Sequence, residues 1–434
     1  MFLLKLKNVA IATALSALIA IGAGTVAGQD AKDKRTAGLE ALKALDLRWQ
    51  KRGEEYRAAC KDETDFDKVN ELSKRLLPGY DPKAVEEFFE MEKSHRGTDV
   101  GVFALNLMMM RARGCGDPDT PLEAGRERAW GILLEHYLKH EDLDLLLGGV
   151  RFGPVVFGAE PLLTAAAEKS PHEHVRAAAL FALASLLKDK SVSKTIMDQR
   201  VKNNDYSDTK FERWARQTDE KTLLRLADFD VDKSRKEAER LAKKIMAEYP
   251  NTARPVRIGE TDQPYVQQRI KFKLSLKIPT YAESAERLLF ELTQLVIGQP
   301  APSLVGQDSE GKEFRLSDCK GKVVVLVFSA NWCAPCKAFY PTLRGLQKKF
   351  DGKPLQVVTV MADKDLKTVR DAIDKGDITW RAVWDGETGP IASKWNVAAF
   401  PTIYVFDERG ILRARTVGES NLETIVADLV KKAK

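Results

Sequence analysis

The run Val323-Val324-Val325-Leu326-Val327-Phe328 ends shortly before Trp332-Cys333-Ala334-Pro335-Cys336, and this succession limits the fold more than any other stretch of the chain. A continuous apolar run rich in β-branched residues reads as a strand buried on both faces, at the centre of a sheet. Pro335 suits the first turn of a helix, where its preset φ fits and its missing N–H is not needed. The spacing therefore predicts a strand that hands two thiols to the mouth of a helix. Cys333 then sits where unpaired backbone N–H groups and the helix dipole favour thiolate, so its pKa is expected below that of free cysteine. Cys336 lies one turn inside, shielded and placed to resolve a mixed disulfide.

The rest of residues 297–434 alternates strands with helices. Leu355 to Met361 reads as a second buried strand, Leu366 to Lys375 as a helix and Trp380 to Trp384 as a short strand. Pro341 to Phe350 continues the helix that begins near Cys333. A helix over Ile391 to Trp395, a hairpin of Thr402 to Phe406 with Leu412 to Val417, and a final helix over Leu422 to Lys432 follow. Together they describe a small α/β domain with a mixed central sheet.

Residues 31–296 read as a separate all-α domain. Apolar residues recur at three- and four-residue spacing in Gly38 to Tyr56, Pro121 to His140, Pro171 to Leu187, Lys233 to Tyr249 and Tyr281 to Val296. Such a series predicts stacked helices or an irregular bundle. The run PHEHVRAAALFALASLL (171–187) is similar to a HEAT-type repeat helix, with Val175, Ala178, Ala179, Phe181, Ala182 and Leu186 as a buried stripe. The run AERLAKKIMAEYPN (238–251) resembles the second helix of a tetratricopeptide-type unit, although no fixed period runs through three or more units. Residues 250–280 are mixed and Pro-punctuated. Ile297-Gly298-Gln299-Pro300-Ala301-Pro302 then marks a domain boundary.

At the N-terminus, Lys5 and Lys7 precede an uncharged apolar stretch from Val9 to Ala27, and the chain turns polar from Gln29. Residues 1–28 read as a secretory signal peptide cleaved near Ala27 or Gly28, or as an N-terminal anchor, since about 20 apolar residues suffice to cross a bilayer. Either reading implies export, to the periplasm or cell envelope. Outside the cytosol a disulfide persists, and a reducing dithiol needs a dedicated donor. The net charge of +6 over 434 residues comes without a Lys/Arg block, which speaks against nucleic-acid binding. Membrane contact is expected only if the N-terminal segment stays uncleaved.

Trp332-Cys333-Ala334-Pro335-Cys336 resembles the thioredoxin active site. The lead-in over residues 297–302, with Phe314-Arg315-Leu316-Ser317-Asp318 and Lys320-Gly321-Lys322-Val323-Val324, is similar to the TlpA/ResA-like branch of exported thiol–disulfide oxidoreductases. Phe400-Pro401-Thr402 ahead of Tyr404-Val405-Phe406 matches as well, so the resemblance covers roughly residues 297–434. It implies a thioredoxin fold, catalytic Cys333 and Cys336, and a cis Pro401 that packs against the dithiol. It also implies that Trp332, Ala334, Pro335, Phe400 and Pro401 meet the substrate. The partners it implies are a disulfide-containing protein and an electron-donor thiol protein, with no cofactor and no metal. Proline beside the second cysteine, as in reducing thioredoxins, favours a reductant. Two acids of such families are replaced here, by Val327 and Phe339. The base for Cys336 is then left to water, a distant carboxylate or the substrate. In an alternative reading, the helical region is a docking scaffold and the thioredoxin-like domain acts on the partner it recruits.

The remaining candidates read more plainly. A zinc site needs four ligands, yet no second CxxC exists and the five histidines all lie between residues 95 and 174. A peroxidatic cysteine would have Thr or Ser three residues ahead, where Ala330 stands. Cys60 and Cys115 form either a disulfide or two separate thiols. Cys319 is expected as a buried thiol, with a third redox thiol as the alternative. His136 and His140 are spaced for one helix face without an HExxH pattern, and His172 and His174 read as surface or capping residues. Met108-Met109-Met110 reads as core, and Trp380, Trp384 and Trp395 as core or rim.

Overall fold

The computed structural model describes residues 29–63, 65–112, 120–147, 158–203, 226–254, 279–387, 389–397, 399–416 and 422–433. The expected leader over residues 1–28, Cys115, and most of the 250–280 segment lie outside them. The chain divides into two compact units, one ending at Glu283 and the other beginning at Ser284. No helix among the described residues is long and apolar enough to cross a membrane.

The first unit is helical: α1 (Gln29–Ala59), α2 (Phe66–Leu76), α3 (Pro82–Ser94), α4 (Asp99–Ala112), α5 (Pro121–His136), α6 (Leu143–Leu147), α7 (Glu160–Lys169), α8 (Glu173–Asn203) and α9 (Val231–Glu248). Short polar side chains start several of them. Asp65, Thr120 and Asp230 each accept an N–H of the first turn that the helix itself leaves unpaired. Neighbours in sequence pack on one another, α3 on α4, α4 on α5, and both α7 and α9 on α8. The whole stripe from Val175 to Leu186 is buried, and Ala177, Leu180 and Ala184 are buried with it. Helix α8 is thus covered around most of its girth, which its many alanines allow. Met108 and Met109 are core residues.

One pair of histidines falls differently from expectation. Helix α5 ends at His136, so His140 does not share a helix face with it. The helix stops because buried Tyr137 is held sideways: its hydroxyl donates to Glu92 Oε1 at 3.0 Å and accepts the Gly97 N–H at 3.1 Å. The rings of His172 and His174 meet the carbonyls of Lys139 and Glu141. Among the described residues no cluster of His, Cys, Asp and Glu is arranged to hold a metal.

The second unit starts within α10 (Tyr281–Gln294), ahead of the Gly-Pro stretch at 297–302. It contains β1 (Val305–Asp308), β2 (Glu313–Arg315), β3 (Val323–Ser329), α11 (Ala334–Lys349), β4 (Leu355–Met361), α12 (Leu366–Asp374), β5 (Arg381–Trp384), α13 (Pro390–Lys394), β6 (Thr402–Phe406), β7 (Leu412–Thr416) and α14 (Leu422–Lys432). The strands form one sheet in the order β2-β1-β5-β4-β3-β6-β7, parallel across β5, β4 and β3 and antiparallel elsewhere. The β1–β2 hairpin was not legible in the sequence: only Phe314 of β2 turns inward, so no alternation is long enough to read.

Strand β3 is buried along its whole length. Val323, Val325 and Val327 join a core with Phe339, Leu343 and Leu346 of α11 and Val426 of α14. Val324, Leu326 and Phe328 join a second core with Trp395, Tyr404 and Phe406 on the opposite face. Each such side chain removed from water contributes about 1.5–3 kcal/mol, so β3 holds both layers. Helix α10 is tied to the second face by buried Glu291, which binds Arg415 and Asn396.

The β6–β7 turn is built on Asp407, whose carboxylate accepts the N–H groups of Arg409 and Ile411 and the Arg413 guanidinium. Burial alone would push its pKa up, but these donors outweigh burial and hold it below the ordinary range. Its stabilisation is therefore present above the unfolded-state pKa and fades as pH falls through the lower folded value. Asp407→Asn is expected to weaken the sheet unit by about 1–3 kcal/mol at neutral pH. In urea unfolding followed by amide exchange in β6, that gap should close as pH falls below the ordinary carboxylate range; a gap independent of pH would refute the assignment.

Candidate active site

Between Ser329 and Ala334 the chain turns from β3 into α11, and Cys333 is the N-cap of that helix. Its backbone is extended (φ −87°, ψ 102°), and its sulfur accepts the Cys336 N–H at 3.2 Å. Pro335 occupies the first turn, where no donor is needed. Cys333 and Cys336 are joined in a disulfide with their Cα atoms 5.3 Å apart. Both are buried, Cys336 to 1% exposure, and they share one apolar cluster with Val327 and Phe339. The two positions where the resemblance implies acids are thus hydrocarbon wall behind the sulfurs.

The rim of the site is aromatic. Trp332 is 42% exposed, donates its indole N–H to the Ala362 carbonyl at 3.2 Å, and meets the Phe400 ring edge-on at 5.6 Å between centroids. Ala334 and Pro335 are exposed beside it. The Phe400–Pro401 peptide is cis. The register that sets Phe328 opposite Thr402 brings buried Pro401 next to the end of β3, where the loop to Cys333 begins. The other thiols stand apart. Cys319 belongs to the core on the opposite face of the sheet, where burial pushes its pKa up, and Cys60 is a free, half-buried thiol just past α1.

One residue of this region escaped the sequence reading. Asp363 follows β4 and is 2% exposed. Its carboxylate accepts the Asn331 main-chain N–H, 2.9 Å to Oδ1 and 3.2 Å to Oδ2, and the Asn331 side-chain amide at 3.3 Å. Burial pushes its pKa up to about 6, against the lowering effect of both Asn331 donors. The signal available was its place at the carboxyl end of a central parallel strand beside β3, where open α/β sheets carry their ligand sites.

A central strand ending in a Cys-x-x-Cys helix mouth, on this mixed sheet, makes the second unit a thioredoxin fold of the redox class. Residues 297–415 match the AhpC/TSA family. The thioredoxin-like protein YneN of Bacillus subtilis (strain 168) is 38% identical over 124 residues, 28% of this chain and 71% of that protein. The thiol–disulfide oxidoreductase ResA of Bacillus cereus is 30% identical over 138 residues, 32% of this chain and 79% of that protein. A solved thioredoxin domain, that of the thiol–disulfide oxidoreductase BVU-2223 from Bacteroides vulgatus, is 25% identical with a TM-score of 0.29, covering 31% of this chain and 98% of that one. Through its C-terminal third the chain belongs to the thioredoxin-like thiol–disulfide oxidoreductase family. The AhpC/TSA match leaves the helical unit uncovered.

The raised pKa of Asp363 has a thermodynamic consequence opposite in sign to that of Asp407. A folded value of about 6 means that the native state holds this proton more tightly than the unfolded chain does. Stability is then greatest below about pH 4 and falls as pH rises towards about 6. Asp363→Asn should flatten that fall in chemical unfolding of the sheet unit. A variant that retains the wild-type slope would contradict the shift.

Proposed function

We propose that Cys333 and Cys336 are the redox centre of an exported thiol–disulfide oxidoreductase that reduces protein disulfides. The observation that carries this reading is the seat of Cys333, an N-cap whose sulfur receives an N–H of the first turn of α11. There the helix dipole and unpaired donors favour the thiolate. In the reduced protein, the Cys333 thiolate attacks one sulfur of a substrate disulfide. A Cys333–substrate bond forms, and the other substrate sulfur leaves as a thiolate that takes up a proton. Cys336 then loses its proton and attacks Cys333, releasing the second substrate thiol and closing the Cys333–Cys336 disulfide. Two electrons pass from the dithiol to the substrate, and a donor thiol protein restores the pair.

Trp332, Ala334, Pro335, Phe400 and Pro401 form the contact surface for substrate in this reading, supported by the exposure of the first three and the pairing of the two aromatic rings. Proline at 335 supports the reducing direction. Export rests on the basic, apolar and small-residue succession of residues 1–28, and we take 31–296 and 297–434 as the helical and redox domains. A helical unit with a core of its own, including α8 packed between α7 and α9, favours a second role for residues 31–296 as the docking body for the redox partner.

Insulin disulfide reduction by the full chain tests the first reading. Cys333→Ser should lose at least about a hundredfold in rate, and Cys336→Ser should accumulate a mixed disulfide with substrate on non-reducing gels. Turnover that survives Cys333→Ser would overturn it.

A further inference from the structure

The carboxylate of Asp363 lies where β3 and β4 part. Their parallel ladder runs to the pair Ser329 and Met361, and Ala362 still donates its N–H to the Ser329 carbonyl at 2.9 Å. One residue further the backbone pairing stops, and the Asp363 side chain takes over as acceptor for Asn331. The Asn331 amide spans from Asp363 Oδ2 to the Thr368 carbonyl at 3.4 Å, and Trp332 closes the same junction through its bond to Ala362. The Asp363 carbonyl in turn accepts the Trp384 indole N–H at 2.9 Å, which fixes Asp363 to β5. The loop between β3 and α11 is therefore held from Ala362, Asp363 and α12, while the Cys333 N–H turns back to the Ala330 carbonyl within the loop itself.

We propose that Asp363 is a positioning residue for the redox pair: its ionised carboxylate clamps Asn331 and so fixes the loop that carries Cys333 to the mouth of α11. The inference rests on the reading of Cys333 as the attacking thiol. A carboxylate accepts two N–H donors on two oxygens, whereas a protonated carboxyl is a weaker acceptor and brings an O–H of its own into a site already filled with donors. Loading this carboxyl with a proton therefore loosens the hold on Asn331. The groups acting on it are the Asn331 donors, Lys337 of α11, which favours the charged form, and Asp365 on its own loop, which opposes it. Tyr340 of α11 also feels its charge and is itself held neutral by burial. Retaining a buried acid that costs stability when ionised is understandable if the charge serves the loop and not the fold.

The test uses the full chain in its reduced form. In wild type, the Asn331 amide proton resonance and the rate of Cys333 alkylation by iodoacetamide should share an inflection near pH 6, separate from the titration of the thiol itself. Asp363→Asn should abolish that inflection and slow alkylation about tenfold at neutral pH, because a displaced loop takes the sulfur away from the N–H groups and dipole that favour its thiolate. The wild-type resonance needs no variant, so a misfolded Asp363→Asn protein does not leave the question open. An Asn331 amide that stays flat between about pH 4 and 8, or an Asp363→Asn protein with the wild-type profile, would overturn the role. The two failures separate. Turnover that survives Cys333→Ser removes the redox reading, while a flat Asn331 amide with turnover lost in Cys333→Ser removes only the clamp.

Discussion

The first turn of a helix has N–H groups that the helix cannot satisfy, and in α11 one of them is given to sulfur. Everything else in the second unit holds that sulfur at that point. Strand β3 is anchored in both cores, so its end does not move relative to the sheet. The short loop after it is tied to the exit of β4, and β6 is registered so that Pro401 flanks the junction. This donor–acceptor contact is of ordinary strength, and the strand that leads into it is buried in two cores.

Two aspartates illustrate how the same side chain is used for opposite ends. Asp407, also buried, receives main-chain donors and an arginine as well, and together they outweigh burial, so its charge stabilises the fold. Asp363 receives donors too, but there burial outweighs them, and ionisation works against stability. Counting hydrogen bonds does not separate the two cases. The balance between donors and lost water does.

The sequence carried the second unit well because its signals are local and redundant. A β-branched run, a proline that suits a first turn and a cysteine on each side of the Ala-Pro pair all point to one geometry. The β1–β2 hairpin was invisible, since three- and four-residue strands with one inward side chain have no period. The end of α5 at His136 was missed because its stop is tertiary, a buried tyrosine bonded to Glu92 and Gly97 far along the chain. Asp363 was missed for a related reason. Its meaning comes from Asn331, and only the pairing of β3 with β4 brings the two together. The helical unit gave its helices through apolar spacing, but nothing in that spacing says what its surface meets.

The placement of Cys319 behind the sheet has a consequence for electron traffic. A wall of β-strands stands between it and the Cys333–Cys336 pair, so no exchange among the three sulfurs can scramble the bridge while the sheet is intact. The bridge at this face is therefore either closed between Cys333 and Cys336 or open, with no third sulfur in reach to close it elsewhere. Cys319 becomes a silent witness instead: the appearance of its thiol to a solvent-borne reagent would time the breathing of the sheet itself.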